Sequence, residues 1–102
     1  MSKFVVVYQG GSMGDTPEAQ EASMKKWMEW FGSMGTAVTD FGNPFGASTS
    51  LSSDGSRGSA KSGLTGYSTI EVEDLDAAAE LAASCPNLSE GGTVEIYEAI
   101  PM

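Results

Sequence analysis

Histidine is missing altogether from the 102 residues, cysteine occurs once, and lysine and arginine together number only five. Each shortage closes off a class of chemistry. Without an imidazole there is no Ser-His-Asp or Cys-His nucleophile system, no HExxH zinc site and no histidine base. The single Cys85 cannot form an intrachain disulfide, and no other Cys or any His exists to share a metal with it. No metal or cofactor is therefore expected, and a reducing cytoplasm fits. Fourteen acidic residues against five basic ones give a net charge of −9. Binding to a phosphate backbone needs clustered Lys and Arg, and only Lys25 and Lys26 are adjacent. The charge argues against nucleic acid and anionic membrane as partners. The longest apolar run near the start, Phe4 to Tyr8, is too short for a signal peptide or a membrane span. No repeat, coiled coil or linker interrupts the chain, so a single domain over residues 1–102 is expected, burying roughly 65% of its unfolded surface.

What is present is organised around Gly66 to Pro86, GYSTIEVEDLDAAAELAASCP. From Tyr67 to Glu73 the residues alternate, with Ser68, Ile70 and Val72 on one side. Period 2 with β-branched residues reads as a strand with one apolar face. Asp74 stands at the N-cap position of a following helix, and Asp76 sits in its positive first turn. Leu75, Ala78, Leu81, Ala82 and Cys85 recur at helical spacing. Their small size lets the helix lie close to a sheet, and Pro86 is expected to stop it. Cys85 falls on the buried stripe and reads as core. Thr93 to Ile100 supplies the next strand, with Val94, Ile96 and Ile100 on one face.

Before this stretch, Lys3 to Gln9 reads as a central strand, because five consecutive apolar residues need both faces covered. Thr16-Pro17 opens a long helix, with Thr as cap and Pro at the first position. Met24, Trp27, Met28, Phe31 and Met34 are expected on its core face. Trp30 lies at the edge of that arc, free to line a cleft. Gly35 is placed to close the helix. Thr36 to Phe41 reads as a strand, Gly42 to Gly46 as punctuation, and Ala47 to Ser53 as a weak strand before the Asp54-Gly55 turn. Ser56 to Thr65 reads as a polar loop.

Several short patterns carry no chemistry. Ser23 to Lys26 matches SxxK and Lys61-Ser62-Gly63 resembles KTG, but the chain is too small for that two-subdomain fold and has no SDN. Gly58 to Thr65 resembles a P-loop, yet Leu64 stands where the Lys is needed. Glu73, Asp74 and Asp76 are explained by a strand end and a helix cap. The remaining acid/base groups are carboxylates. Glu71 and Glu95, read as facing the same way as Tyr67 and Tyr97, are weak candidates for a catalytic base if that face lines a cleft. Solvation is the simpler reading of both.

The element order is β-α-β-β-β-α-β, an α+β arrangement close to the ferredoxin-like split βαβ, an antiparallel sheet with two helices on one face. Phe4, Val6 and Tyr8 alternate with Val5 and Val7, so the first strand is apolar on two sides. Phe41, Tyr67 and Tyr97 are expected to add to the uncovered side. Such a patch marks an interface, and a two-fold homodimer with sheets face to face is expected.

The order of these pieces carries a resemblance. The opening strand KFVVVY, Trp27-x-x-Trp30, Gly42-Asn43-Pro44-Phe45-Gly46, Asp54-Gly55, Gly66-Tyr67-Ser68, Asp76-Ala77-Ala78, Cys85-Pro86 and Gly92-Thr93-Val94-Glu95 together resemble the YCII-related family of the dimeric α+β barrel superfamily, nearly end to end. The resemblance implies a ferredoxin-like protomer, a homodimer, and a cleft between the sheet and a helix edge. Some relatives are thought to use a His–Asp pair in that cleft, and one branch performs dehydrochlorination. Here the pair cannot be carried over, and Asn87 occupies the place where related chains often have a His after Cys-Pro. The expected function is binding of a small organic molecule in an aromatic cleft, without His-based chemistry, at Tyr8, Trp30, Asn43, Phe45 and Tyr67. The alternatives are a lyase or isomerase with Glu71 or Glu95 as base, and an acidic protein-interaction module.

Overall fold

The computed structural model describes all residues, Met1–Met102. Strand β1 runs over Ser2–Gln9, and helix α1 over Pro17–Met34. The hydroxyl of Thr16 accepts the amide of Ala19 at 3.1 Å, and Pro17 fills the first turn, where a missing N–H costs nothing. A 3-10 turn at Gly35–Ala37 leads into strand β2, Val38–Asp40. Strands β3 (Ser50–Leu51) and β4 (Arg57–Gly58) form a small hairpin. Strand β5 spans Leu64–Val72, helix α2 Leu75–Ala82, helix α3 Pro86–Ser89 and strand β6 Thr93–Ala99.

The main sheet has the order β2-β5-β1-β6, and every neighbouring pair is antiparallel. This is the split βαβ arrangement expected from the element order. α1 connects β1 to β2 across β5, and α2 connects β5 to β6 across β1. The α+β fold of the sequence reading is therefore present. The Ala47–Ser53 stretch departs from it. Only Ser50–Leu51 is extended, and it pairs with Arg57–Gly58 in a separate sheet. Its one large apolar residue, Leu51, is exposed, so the segment has no face to bury against the main sheet. β2 is also shorter than Thr36–Phe41, because the 3-10 turn consumes its first residues and the register slips between Val38 and Asp40.

Both helices cover the same face. Phe4, Val6 and Tyr8 of β1 and Ile70 and Val72 of β5 form one buried cluster with Trp30 and Met34 of α1, Ala78 of α2 and Cys85. Phe4, Val6 and Ile70 are each 1% exposed, and burying a side chain of this size contributes about 1.5–3 kcal/mol. Asp74 caps α2 by accepting the Ala77 amide at 2.8 Å. Pro86 does more than stop that helix. It opens α3, because its fixed φ and missing N–H suit a first turn.

The buried stripe of α1 is rotated from the one expected. Ser23, Trp30 and Met34 are buried and Trp27 half-buried, whereas Met24 and Met28 are exposed. Trp30 supplies the reason. Its ring fills the core and its Nε1 donates to the Leu81 carbonyl at 3.0 Å, which locks the helix at that rotation. Ser23 tolerates burial because its hydroxyl donates to Glu90. The buried Ser68 joins two strands and the segment after β2: Tyr8 Oη donates to its Oγ at 2.8 Å, and that Oγ donates to the Phe41 carbonyl at 2.7 Å.

On the opposite face of the sheet, Val5 and Val7 are half-buried. Val5 pairs with Thr69 and Tyr97, and Val7 with Tyr67 and Glu95. No helix of this chain packs there. Phe41 does not contribute to this face, contrary to expectation. It meets Phe31 of α1 edge-on at 5.2 Å, drawn to the helix side by the aromatic contact. No helix is long and apolar enough to cross a membrane.

Candidate functional site

The rotation of α1 leaves one of its apolar edges without a partner in the core. That edge, with the end of β1, the Gly10–Met13 turn and the Phe41–Pro44 segment, encloses a cleft of about 430 Å³. α1 contributes Met24, Trp27, Met28 and Phe31 to its wall, Phe41 faces Phe31, and the buried Tyr8 forms the floor. Tyr8 and Trp27 meet edge to face with centroids 4.8 Å apart.

The polar groups come from α3 and the turns. Glu90 follows α3 and reaches back to α1. Its carboxylate accepts the Ser23 hydroxyl at one oxygen and Trp27 Nε1 at the other, the latter at 3.2 Å. Two donors on different turns of α1 thus fix the orientation of the carboxylate. Asn87, buried in α3, donates Nδ2 to the carbonyls of Gln9 at 3.2 Å and Thr93 at 2.8 Å. It thereby ties β1 to β6 at the mouth of the cleft. A Cβ at Gly92 would come within 2.5 Å of that Nδ2 and 2.6 Å of the Gln9 carbonyl, so only glycine leaves room for the Asn87 bridge.

Of the residues singled out from the sequence, Tyr8, Asn43 and Tyr67 line the cleft. Trp30 and Phe45 do not. Trp30 is 5% exposed and belongs to the core, and Phe45 stacks on Tyr67 at 5.8 Å. Glu71 and Glu95 lie on the open face of the sheet, away from the cleft. They are not on neighbouring strands, since β1 runs between them, with Lys3 opposite Glu71 and Val7 opposite Glu95. Glu95 accepts the Tyr97 hydroxyl at 2.7 Å, a bond that holds the Tyr97 phenol above its ordinary pKa. Cys85 is buried, and burial pushes its thiol up to about 11, which fits a core residue rather than a nucleophile. No group of three or more His, Cys, Asp or Glu is placed to hold a metal ion.

Glu90, Asn87, Trp27 and Phe31 were not among the sequence candidates. No sequence signal marked the first: Ser23 lies off the expected apolar stripe, and only its burial in the fold calls for the partner that Glu90 supplies. Burial raises the phenol of Tyr8 above its ordinary value, and its hydroxyl donates to Ser68 Oγ rather than into the cleft. The cleft therefore presents one carboxylate and neutral amides within aromatic and thioether walls. Such a surface is suited to holding an organic molecule.

Two comparisons bear on this site. The family model described as YCII-related domain matches residues 5–102, nearly the whole chain and every element around the cleft. No curated protein matches the sequence.

Proposed function

The chain belongs to the YCII-related family, and from that premise we propose that it is a cytoplasmic homodimer that binds a small organic molecule in the cleft beside α1. The carrying observation is the cleft itself: about 430 Å³, with mainly apolar walls and a few convergent polar groups. Sites for small organic ligands have this size and make-up. The absence of histidine and of a metal-ligand cluster supports binding over His- or metal-dependent catalysis. The lyase or isomerase alternative loses support at Glu71 and Glu95, because neither reaches the cleft. The acidic interaction module draws support only from the net charge of −9.

Thermal-shift screening with neutral and charged metabolite-sized compounds tests the proposal. A compound present at 100 times its Kd stabilises the native state by about 2.7 kcal/mol. For a chain of this size that raises Tm by roughly 11–20 °C. The double variant Met28→Ala/Phe41→Ala removes two walls that are 73% and 65% exposed. Its own Tm should stay near that of the wild type, while the ligand-induced shift should collapse. A shift that survives in the double variant would place binding elsewhere.

The dimer rests on the open face of the sheet, where Val5 and Val7 lie among Thr69, Tyr67 and Tyr97 with no helix over them. Apolar clusters of this kind are covered in stable proteins. Light scattering should give twice the chain mass at micromolar concentration. Val5→Lys/Val7→Lys should halve it, because two buried ammonium groups per protomer cannot be tolerated between sheets. A folded wild-type monomer at that concentration would refute the dimer.

A further inference from the structure

The cleft has a charge preference as well as a shape. Glu90 is the only Asp, Glu, Lys or Arg among the residues that line it. Its carboxylate is held by two neutral donors, the Ser23 hydroxyl and the Trp27 indole N–H, and no cationic side chain of the lining neutralises it. Because Trp27 Nε1 donates to Glu90 Oε1 at 3.2 Å, the negative charge sits at the edge of an indole ring. Tyr8 stands 4.8 Å from that indole, centroid to centroid. Aromatic faces attract cations within about 6 Å of the ring centroid. Asn87 adds an acceptor. Both of its side-chain hydrogen bonds are donated by Nδ2, and its Oδ1, beside Gly11, receives no donor. Carboxylate, amide oxygen and ring faces all favour positive charge. The walls beyond them, Met24, Met28, Phe31 and Phe41, favour an apolar body. The five Lys and Arg residues all lie outside the lining, so no group there would bind an anionic head.

We propose that the cleft selects organic cations, an amine or quaternary ammonium on an apolar or aromatic body, with Glu90 as the counter-charge. This rests on the cleft being the ligand site and names the chemical class that it takes. The net charge of −9 would raise the local concentration of such ligands before they dock.

Three probes on the same phenethyl body separate the two claims: phenethyltrimethylammonium, 3-phenylpropionamide and 3-phenylpropionate. Titration calorimetry or NMR line shifts of the Trp27 indole N–H should show the cation binding roughly tenfold tighter than the amide, and the carboxylate weakest. Glu90→Gln keeps an acceptor for the Trp27 N–H while removing the charge. It should bring the cation to the affinity of the amide, read as the ratio of the two affinities within the same variant. Glu98→Gln, an exposed strand position outside the lining, should leave the cation preference intact. Equal binding of cation and amide by the wild type overturns charge selection but leaves the cleft as a ligand site. A preference that Glu98→Gln removes as well overturns it too, by showing that overall charge is the cause. Failure of all three probes to move the Trp27 signal at millimolar concentration overturns both claims.

Discussion

Trp30→Ala is expected to destabilise the fold by about 3–5 kcal/mol, the range for deleting a large buried aromatic side chain. Trp30 is 5% exposed and packs against Tyr8, Trp27 and Phe31, with centroids 6.2, 5.8 and 5.1 Å away. Each such aromatic pair adds about 0.5–1.5 kcal/mol beyond burial. The indole N–H also holds the Leu81 carbonyl at 3.0 Å, linking α1 to α2 across the core. Natural domains are stable by only about 5–15 kcal/mol, so the variant should melt far below the wild type or fail to fold. Trp30→Phe separates the contributions. It keeps a ring in the space and removes the hydrogen bond, at an expected cost of about 1–2 kcal/mol from the lost bond and the smaller ring. Urea denaturation measures both. If Trp30→Ala unfolded at the urea concentration of the wild type, Trp30 would not be the core anchor described above.

Gly42→Ala is expected to cost about 3 kcal/mol or more, for two separate reasons. Gly42 has φ of 75°, in the left-handed region, where a side chain adds about 1–2 kcal/mol of strain. A Cβ there would also collide with the Tyr67 carbonyl group, coming within 2.6 Å of its carbon. Those atoms belong to β5, so neither side can yield without disturbing the sheet. The glycine amide also donates to Asp40 Oδ1 at 2.8 Å, closing the turn after β2. Gly42, Asn43 and Pro44 line the cleft. The same substitution should therefore weaken ligand binding together with stability, whereas Met28→Ala/Phe41→Ala should weaken binding alone. An unfolding free energy within about 0.5 kcal/mol of the wild type, the usual scale of a neutral surface change, would show that the turn has slack the geometry does not suggest.

The sheet was legible because its signal is local. Alternation through Ser68, Ile70 and Val72, the Thr16 and Asp74 caps, and the doubly apolar β1 each follow from a few adjacent residues, and all are present. The rotation of α1 was not legible. Met24, Met28 and Trp30 lie within two turns, and hydrophobicity alone does not decide which faces the core. A hydrogen bond to Leu81, 51 positions away, decides it. The cleft inherits that difficulty. Tyr8, Asn43 and Tyr67 were found as aromatic or turn residues near strand ends. Glu90 was missed because its role depends on Ser23 and Trp27, 67 and 63 positions distant. Glu71 and Glu95 do share a sheet face, but the strand that separates them comes from the start of the chain.

The central position of β1 also shapes how the molecule must be made. Its partners are β5 and β6, so that Lys3 pairs with both Glu71 and Ala99. On the ribosome, β1 emerges before either partner, and Thr93 of β6 is made 84 positions after the Gln9 it pairs with. Phe4 to Tyr8, uncharged and of high strand propensity, must wait until both partners are made with its hydrogen-bonding groups unclaimed. Pairing between strands so far apart in sequence is a slow step. This is a protein whose yield in the cell should depend on whatever shelters a nascent strand.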